Sequence, residues 1–216
     1  MPQNKLLRSD QPSSRTEGTR QRVLDAAERL LSKGSAEFSM RELATEAGVS
    51  FATPFNLFGS KVGIMHTISA KRIETMAERY AEAEPQGDAA ARVLAAVEIA
   101  AAVMLDSADV NRAVIGTLGA PHAEPGGVYG RSRALWAQAI AIGDGIEPAL
   151  VSIAENVLPD QLAIAFRGAL SFWTAGELAD ADLVARCRAA AAALLLGFVE
   201  AGRRNAMLEE LATPDL

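Results

Sequence analysis

Between Phe38 and Lys61 the sequence FSMRELATEAGVSFATPFNLFGSK starts a helix, stops it and starts another with almost no residues to spare. Ser39 and Glu42 stand at the Ser-x-x-Glu spacing of a capping box, in which hydroxyl and carboxylate each satisfy a free amide of the first turn. Phe38 and Leu43 flank that box at the spacing of a hydrophobic staple. Leu43, Ala44 and Ala47 then supply one small apolar face, and Gly48 supplies the left-handed residue that ends the helix. Val49 is expected to turn inward between the two helices. Ser50 is placed to cap the second, whose apolar anchors are Leu57 or Phe58. Pro54 leaves two registers open for that second helix, one beginning at Phe51 and one beginning at Pro54 with Thr53 as its cap.

An amphipathic helix over about Thr16 to Lys33 precedes this pair, with Val23, Ala26, Ala27, Leu30 and Leu31 on one face and Gly34 past its end. Three helices of this size close a small core. Ser60 then caps a long helix over 61–82, with Val62, Met65, Ile68, Ile73, Met76 and Tyr80 near helical spacing, before Pro85 and Gly87 break it. Further helices are expected over 88–106, 108–118, 128–143, 147–157, Pro159–Glu177 and Asp182–Ala201, with a loop around Pro121, Pro125, Gly126 and Gly127. No segment alternates with β-branched residues, so the expected fold class is all-α. The expected domains are a flexible arm over 1–15, a helix-turn-helix domain over 16–61 that continues into the linking helix 61–82, and a larger domain over 83–216.

The three-helix run is similar to the N-terminal domain of the tetracycline-repressor (TetR) family of bacterial transcription regulators. The resemblance is carried by Phe38, Ser39, Arg41, Leu43, Ala44, Gly48, Val49, Ser50, Thr53, Phe58, Ser60 and Lys61, over about the first third of the chain. It implies that the second short helix lies in the DNA major groove while the start of the first and the lysine after the second hold phosphates. Two positions depart from the family pattern: Phe55 stands where tyrosine is usual, and Leu57 where histidine or tyrosine is common. Phe55 still packs on the sugar-phosphate backbone but donates no hydroxyl hydrogen bond, a loss of about 0.5–1.5 kcal/mol per site.

On this resemblance the phosphate contacts are assigned to the amides near Ser39, to Arg41 and to Lys61, since helix N-termini and cations both favour anions. Base edges fall to Ser50, Phe51, Ala52, Thr53 and Asn56. Asn56 either reads adenine bidentately or faces solvent, and Ala52 or Thr53 meets a thymine methyl. Charge agrees with this division of labour. Residues 1–61 hold nine Lys and Arg against seven Asp and Glu, whereas residues 62–216 hold twelve against twenty.

The last two expected helices, about 159–178 and 182–201, are apolar over more than one face, through Ala163, Phe166, Ala169, Leu170 and Trp173, then Val184, Cys187, Ala191, Leu194, Leu195 and Phe198. Such helices need cover on two sides. The family pairs them with their copies in a four-helix bundle, so a homodimer on a palindromic operator of double-stranded DNA is expected. The resemblance also implies a small-molecule effector site in the larger domain, for which Met104, Leu118, His122, Tyr129, Trp136, Phe166 and Trp173 are the candidate lining, suited to a largely apolar ligand with one polar handle. The long helix 61–82 is the expected lever between effector and DNA.

Neither a cofactor nor a metal is expected, and no enzyme: His66, His122 and Cys187 lie at no metal-ligand spacing, and no phosphate loop or paired-carboxylate motif stands out. A lone cysteine fits a reducing cytoplasm. The absence of a signal segment, with Ala189–Val199 too short for a bilayer, points the same way. The competing class is a small-molecule carrier or sensor with a degenerate DNA-binding head, which Phe55 and Leu57 motivate.

Overall fold

The computed structural model describes residues 14–34, 37–120, 126–141 and 143–212, and among them it holds ten α-helices, a single 3-10 turn and no strand. Most of the expected arm, together with Pro121, His122 and Pro125, lies outside the described residues. Ser14 and Arg15, assigned to that arm, are already helical. Two compact units are present, Met1–Ile64 and Met65–Leu216.

In the first unit α1 (Ser14–Ser32) packs on α2 (Met40–Glu46), and α2 on α3 (Ala52–Phe58). Val23, Leu24, Ala26, Ala27 and Leu31 form the inward stripe of α1, so Leu24 takes the place expected of Leu30, which is only part-buried. Phe38, Leu43, Ala44 and Ala47 complete the core. Arg29 on α1 donates to Glu46 at 2.8 Å, which ties the ends of α1 and α2 together.

The second unit begins inside α4 (Lys61–Ala83) and continues with α5 (Ala89–Leu105), α6 (Ala108–Leu118), α7 (Val128–Ile140), α8 (Val151–Thr174), α9 (Asp180–Leu195) and α10 (Ala201–Leu211). Helix α8 is central, packed on α6, α7 and α9, while α5 packs on α7 and α9. The fully buried Trp136, Trp173, Leu158, Leu162, Leu183 and Leu195 mark the middle of this core. Cys187 is buried among them, and burial pushes its thiol up to about 12, so it is protonated and inert at neutral pH.

Two expected boundaries are corrected. Instead of a break between 147–157 and Pro159–Glu177, a 3-10 turn at Pro148–Leu150 leads into one helix that runs straight through Pro159. A proline there forfeits an amide and crowds the preceding turn. Ala154, Leu158, Leu162 and Ala163 are nevertheless buried on both sides of it, and their packing holds the helix together. Likewise α9 does not reach Ala201 but stops at Leu195. Glu147 N–H donates to the Phe198 carbonyl at 2.8 Å, Glu200 N–H to that of Gly145 at 3.1 Å, and Val199 forms an isolated bridge with Ile146. Arg204 of α10, a helix that periodicity did not reveal, donates to the Leu196 and Val199 carbonyls, both at 2.9 Å, and so closes the end of α9. By length and composition Pro148–Thr174 could cross a bilayer, but one of its faces lies in this core.

Arg92 on α5 staples the loop after α7. Its guanidinium pairs with both Asp144 carboxylate oxygens, at 2.6 and 3.1 Å, and donates to the Gly87, Ala139 and Ile140 carbonyls. The Arg92 hydrogen bonds hold the Asp144 carboxyl below the usual carboxylate range. A carboxylate depressed on folding adds stability above its unfolded pKa and loses it as pH falls through the folded one. Asp144→Asn is therefore expected to lower the urea midpoint at neutral pH, and the gap to the unsubstituted chain should close on acidification below about pH 4. A gap that stays constant with pH would remove the ion pair from the stability of this unit.

Candidate functional site

The first unit presents the α2–turn–α3 element as the sequence spacing implies. Ser39 N–H donates to Glu42 Oε2 at 2.7 Å and Glu42 N–H to Ser39 Oγ at 3.2 Å, a complete capping box. The Ser39 amide thereby holds the Glu42 carboxyl below its usual range and is itself occupied. At the far end Gly48 has φ +64°, with Gly48 N–H bonded to the Thr45 carbonyl and Val49 N–H to that of Ala44, the paired bonds of a Schellman stop. Val49 is part-buried rather than fully enclosed.

Helix α3 settles between the two open registers close to the earlier one. Phe51 already has helical angles, and Thr53 N–H donates to the Ser50 carbonyl at 3.0 Å. The Ser50 hydroxyl meets Thr53 Oγ1 at 2.8 Å instead of capping an amide, and Thr53 is no cap. Pro54 sits in the first turn, where a missing amide leaves no broken bond, and its ring is the buried anchor of the helix. Leu57 and Phe58, expected in the core, are only part-buried. What secures them is a residue that sequence reading missed: Arg20 of α1 donates to the Leu57 carbonyl at 3.0 Å and lies over the Phe58 ring at 4.4 Å.

Ala52, Phe55 and Asn56 are exposed along with Phe51, and the Phe51 and Phe55 rings meet edge to face at 5.4 Å. Arg41 on α2 lies over the Phe51 ring at 5.6 Å, so cation and ring share one surface. Lys61, the first residue of α4, lies over Phe38 at 4.5 Å, and its charge helps lower the Glu42 pKa. Ser60 Oγ accepts from Gly63 N–H at 3.1 Å and caps α4 as expected. Taken together, the exposed face of α3 is apolar at its start, amide-bearing at Asn56, and bordered by two cations.

The second unit holds a partly open cavity of about 500 Å³. Five of the proposed lining residues face it: Met104, Leu118, Tyr129, Trp136 and Phe166. Trp173 does not; it is sealed in the core, its indole N–H donating to Asp180 Oδ1 at 2.7 Å and its ring beneath Arg112. His122 lies outside the described residues. The cavity also takes residues that aromatic content did not flag. Helix α4 contributes His66, Ser69, Arg72, Ile73 and Met76, α6 contributes Asn111 and Val114, and α8 contributes Arg167 and Leu170. A signal for Arg167 was available, because it is the one basic residue in the whole of α8. Asn111 is fully buried, its amide donating to the Met104 carbonyl at 2.8 Å while its oxygen accepts from Arg72 Nε at 3.0 Å. Tyr129, half exposed, donates to Asp160 at 2.7 Å; that bond, aided by Arg133, holds the Asp160 carboxyl below its usual range.

Comparison with known proteins bears on both units. Residues 23–68 match the family model described as bacterial regulatory proteins, tetR family. No curated protein sequence matches the chain. Among solved structures, a TetR transcriptional regulator from Rhodococcus sp. RHA1 is similar with a TM-score of 0.69 at 20% identity, over 85% of this chain and 98% of that one. TylP, a TetR regulator from Streptomyces fradiae, gives 0.57 at 18% identity over 93% and 100% of the two chains. The TetR-family regulator PfmR from Thermus thermophilus gives 0.52 at 17% identity over 80% and 92%. These likenesses establish the fold.

Proposed function

We propose that the chain, whose residues 23–68 match the family model of tetR-family bacterial regulatory proteins, is a cytoplasmic, homodimeric, non-enzymatic transcriptional repressor of that family, released from a palindromic operator by a small, largely apolar effector. The observation that carries this reading is the capped, glycine-stopped α2–turn–α3 element, whose exposed Phe51, Ala52, Phe55 and Asn56 stand between Arg41 and Lys61. A short helix of this kind enters the major groove, where an apolar ring or methyl meets the thymine methyl and an asparagine amide reads adenine. Arg41 and Lys61 supply phosphate contacts that fix the register without reading sequence. The Phe51–Phe55 pair makes this reading surface more apolar than one built on tyrosine, which favours thymine-containing half-sites.

The second unit supplies the switch. Its cavity wall includes five residues of α4, the helix that starts at Lys61, so a ligand there acts on the element continuous with the reading head. Moving a two-state population from about 1:99 to 99:1 requires an effector to prefer the released state by roughly 10⁴-fold.

Selection of random duplexes by the purified full chain tests the reading, followed by salt titration of the recovered site. An inverted repeat with half-sites about one helical turn or a related spacing apart is expected. Lys61→Ala should weaken all duplexes alike and reduce the salt slope by roughly one unit. Recovery of no enriched duplex, with retained ligand binding, would instead make the chain a small-molecule carrier. An unchanged slope would remove Lys61 from the DNA interface.

A further inference from the structure

Taking the cavity of the second unit as a ligand chamber, and so resting on the reading above, we propose that its ligand is an amphipathic carboxylate whose head is seated on Arg167 and whose apolar body lies against Met76, Met104, Trp136 and Phe166. The walls carry two guanidinium groups, Arg72 and Arg167, and no Asp or Glu among the described residues. Among the described residues the charged groups of its wall are therefore all cationic, inside an acidic protein. Arg167 donates from Nη2 to the Ile115 carbonyl at 3.3 Å and has no carboxylate within ion-pair distance among the described residues. A guanidinium offers five N–H donors in a planar fork that matches a carboxylate.

Two acids on the lining helices, Asp160 of α8 and Glu74 of α4, are engaged elsewhere. Asp160 takes the Tyr129 hydroxyl and Arg133, and Glu74 faces Arg131. Arg72 is held differently from Arg167, because its Nε is fixed on the buried Asn111 oxygen. It sets the sign of the chamber, while Arg167 keeps most of its donors for a ligand. Desolvation pulls the Arg167 pKa downward, the mark of a cation short of a counter-charge, although an arginine stays protonated throughout the physiological range. A ligand carboxylate would relieve that deficit with two parallel charge-assisted bonds. An amine would meet like charge, and an alcohol would leave the cation uncompensated.

The test titrates the full-length protein calorimetrically with decanoate, decanol and decylamine, which share one apolar body and differ only in the head. Decanoate is expected to bind one site per chain at least about tenfold tighter than decanol, with no binding of decylamine. Arg167→Met should bring decanoate down to the level of decanol and leave decanol unaltered, while Arg167→Lys should keep part of the preference. Equal binding of acid and alcohol to the unsubstituted protein, binding of none of the three, or a preference that survives Arg167→Met overturns the proposal. The comparison within the unsubstituted chain needs no variant to fold. Operator retention is followed in parallel to separate the two readings. Carboxylate-selective binding that leaves the DNA complex intact upholds the chamber chemistry and defeats effector release, whereas release by alcohol and acid alike upholds the switch and defeats the carboxylate.

Discussion

Replacing Gly63 by alanine is expected to lower the stability of the first unit by about 3 kcal/mol, at the upper end of overpacking substitutions. A methyl group there would stand 2.1 Å from the Phe58 carbonyl oxygen and 3.2 Å from its carbon. The obstacle is backbone, so no rotamer change relieves it. Gly59 at φ +70° and Ser60 join α3 to α4, the Ser60 amide donates back to the same Phe58 carbonyl at 2.8 Å, and Arg20 holds the adjoining Leu57 carbonyl. Relief must therefore shift the end of α3 or unwind the start of α4. Gly18→Ala is the control, because an added Cβ on that exposed turn of α1 meets nothing within 4 Å and alanine favours the helix. Urea unfolding of both variants checks the pair. An unaltered midpoint for Gly63→Ala would mean that the α3–α4 turn yields more easily than its geometry indicates.

The second large effect concerns α8. Ile153, Val157, Ile164 and Phe172 are about 40 to 60% exposed and recur, with Gln161 and Gly168 between them, at three- and four-residue spacing along one face. The opposite face, through Leu158, Leu162, Phe166, Leu170 and Trp173, is spent on the core. On α9 the outward residues include the small Ala193 and, just beyond the helix, Gly197. A bare apolar ridge beside small residues is the kind of surface that a two-fold interface covers with its own copy. The double substitution of Ile164→Glu with Phe172→Glu is expected to yield a monomer in sedimentation and to weaken operator binding by roughly 10³-fold or more, as central contacts are worth about 2 kcal/mol or more each. A dimer that persists in the double variant would place the interface elsewhere.

Much of the first unit was legible because its signals are local. Ser39, Glu42 and Gly48 act within a turn of themselves, so residue type and spacing suffice to place both ends of α2. Where the reading failed, distant chain decided the outcome. Pro159 looks like a helix boundary until the packing on both sides of it is known, and nothing near Leu195 announces that residues 198–200 will bond to residues 145–147. Pro54 leaves the start of α3 open in the sequence and proves to be the buried anchor of that helix, because first-turn geometry neutralises the missing amide. Of the apolar residues that mark these two helices as needing cover on two sides, Ala163, Phe166, Leu170, Trp173 and Cys187 turn inward, and the exposed ridge of α8 is made of others. An alanine-rich composition tells how much of a helix is apolar but not which side its own chain already covers. Aromatic content does not point to Arg167, whereas an isolated cation in an apolar helix carries the sharper chemical message.

The chain has two tryptophans, and their placement divides what light can report. Trp136 borders the hollow of the second unit, with its ring edge to face against Phe166 at 5.3 Å, so its emission registers what enters. Trp173 is sealed beneath Arg112 and registers only whether the surrounding helices hold together. A chain bearing Trp173→Phe would thus carry a lone indole as a native gauge of occupancy, and one bearing Trp136→Phe a gauge of integrity, with no dye attached to either.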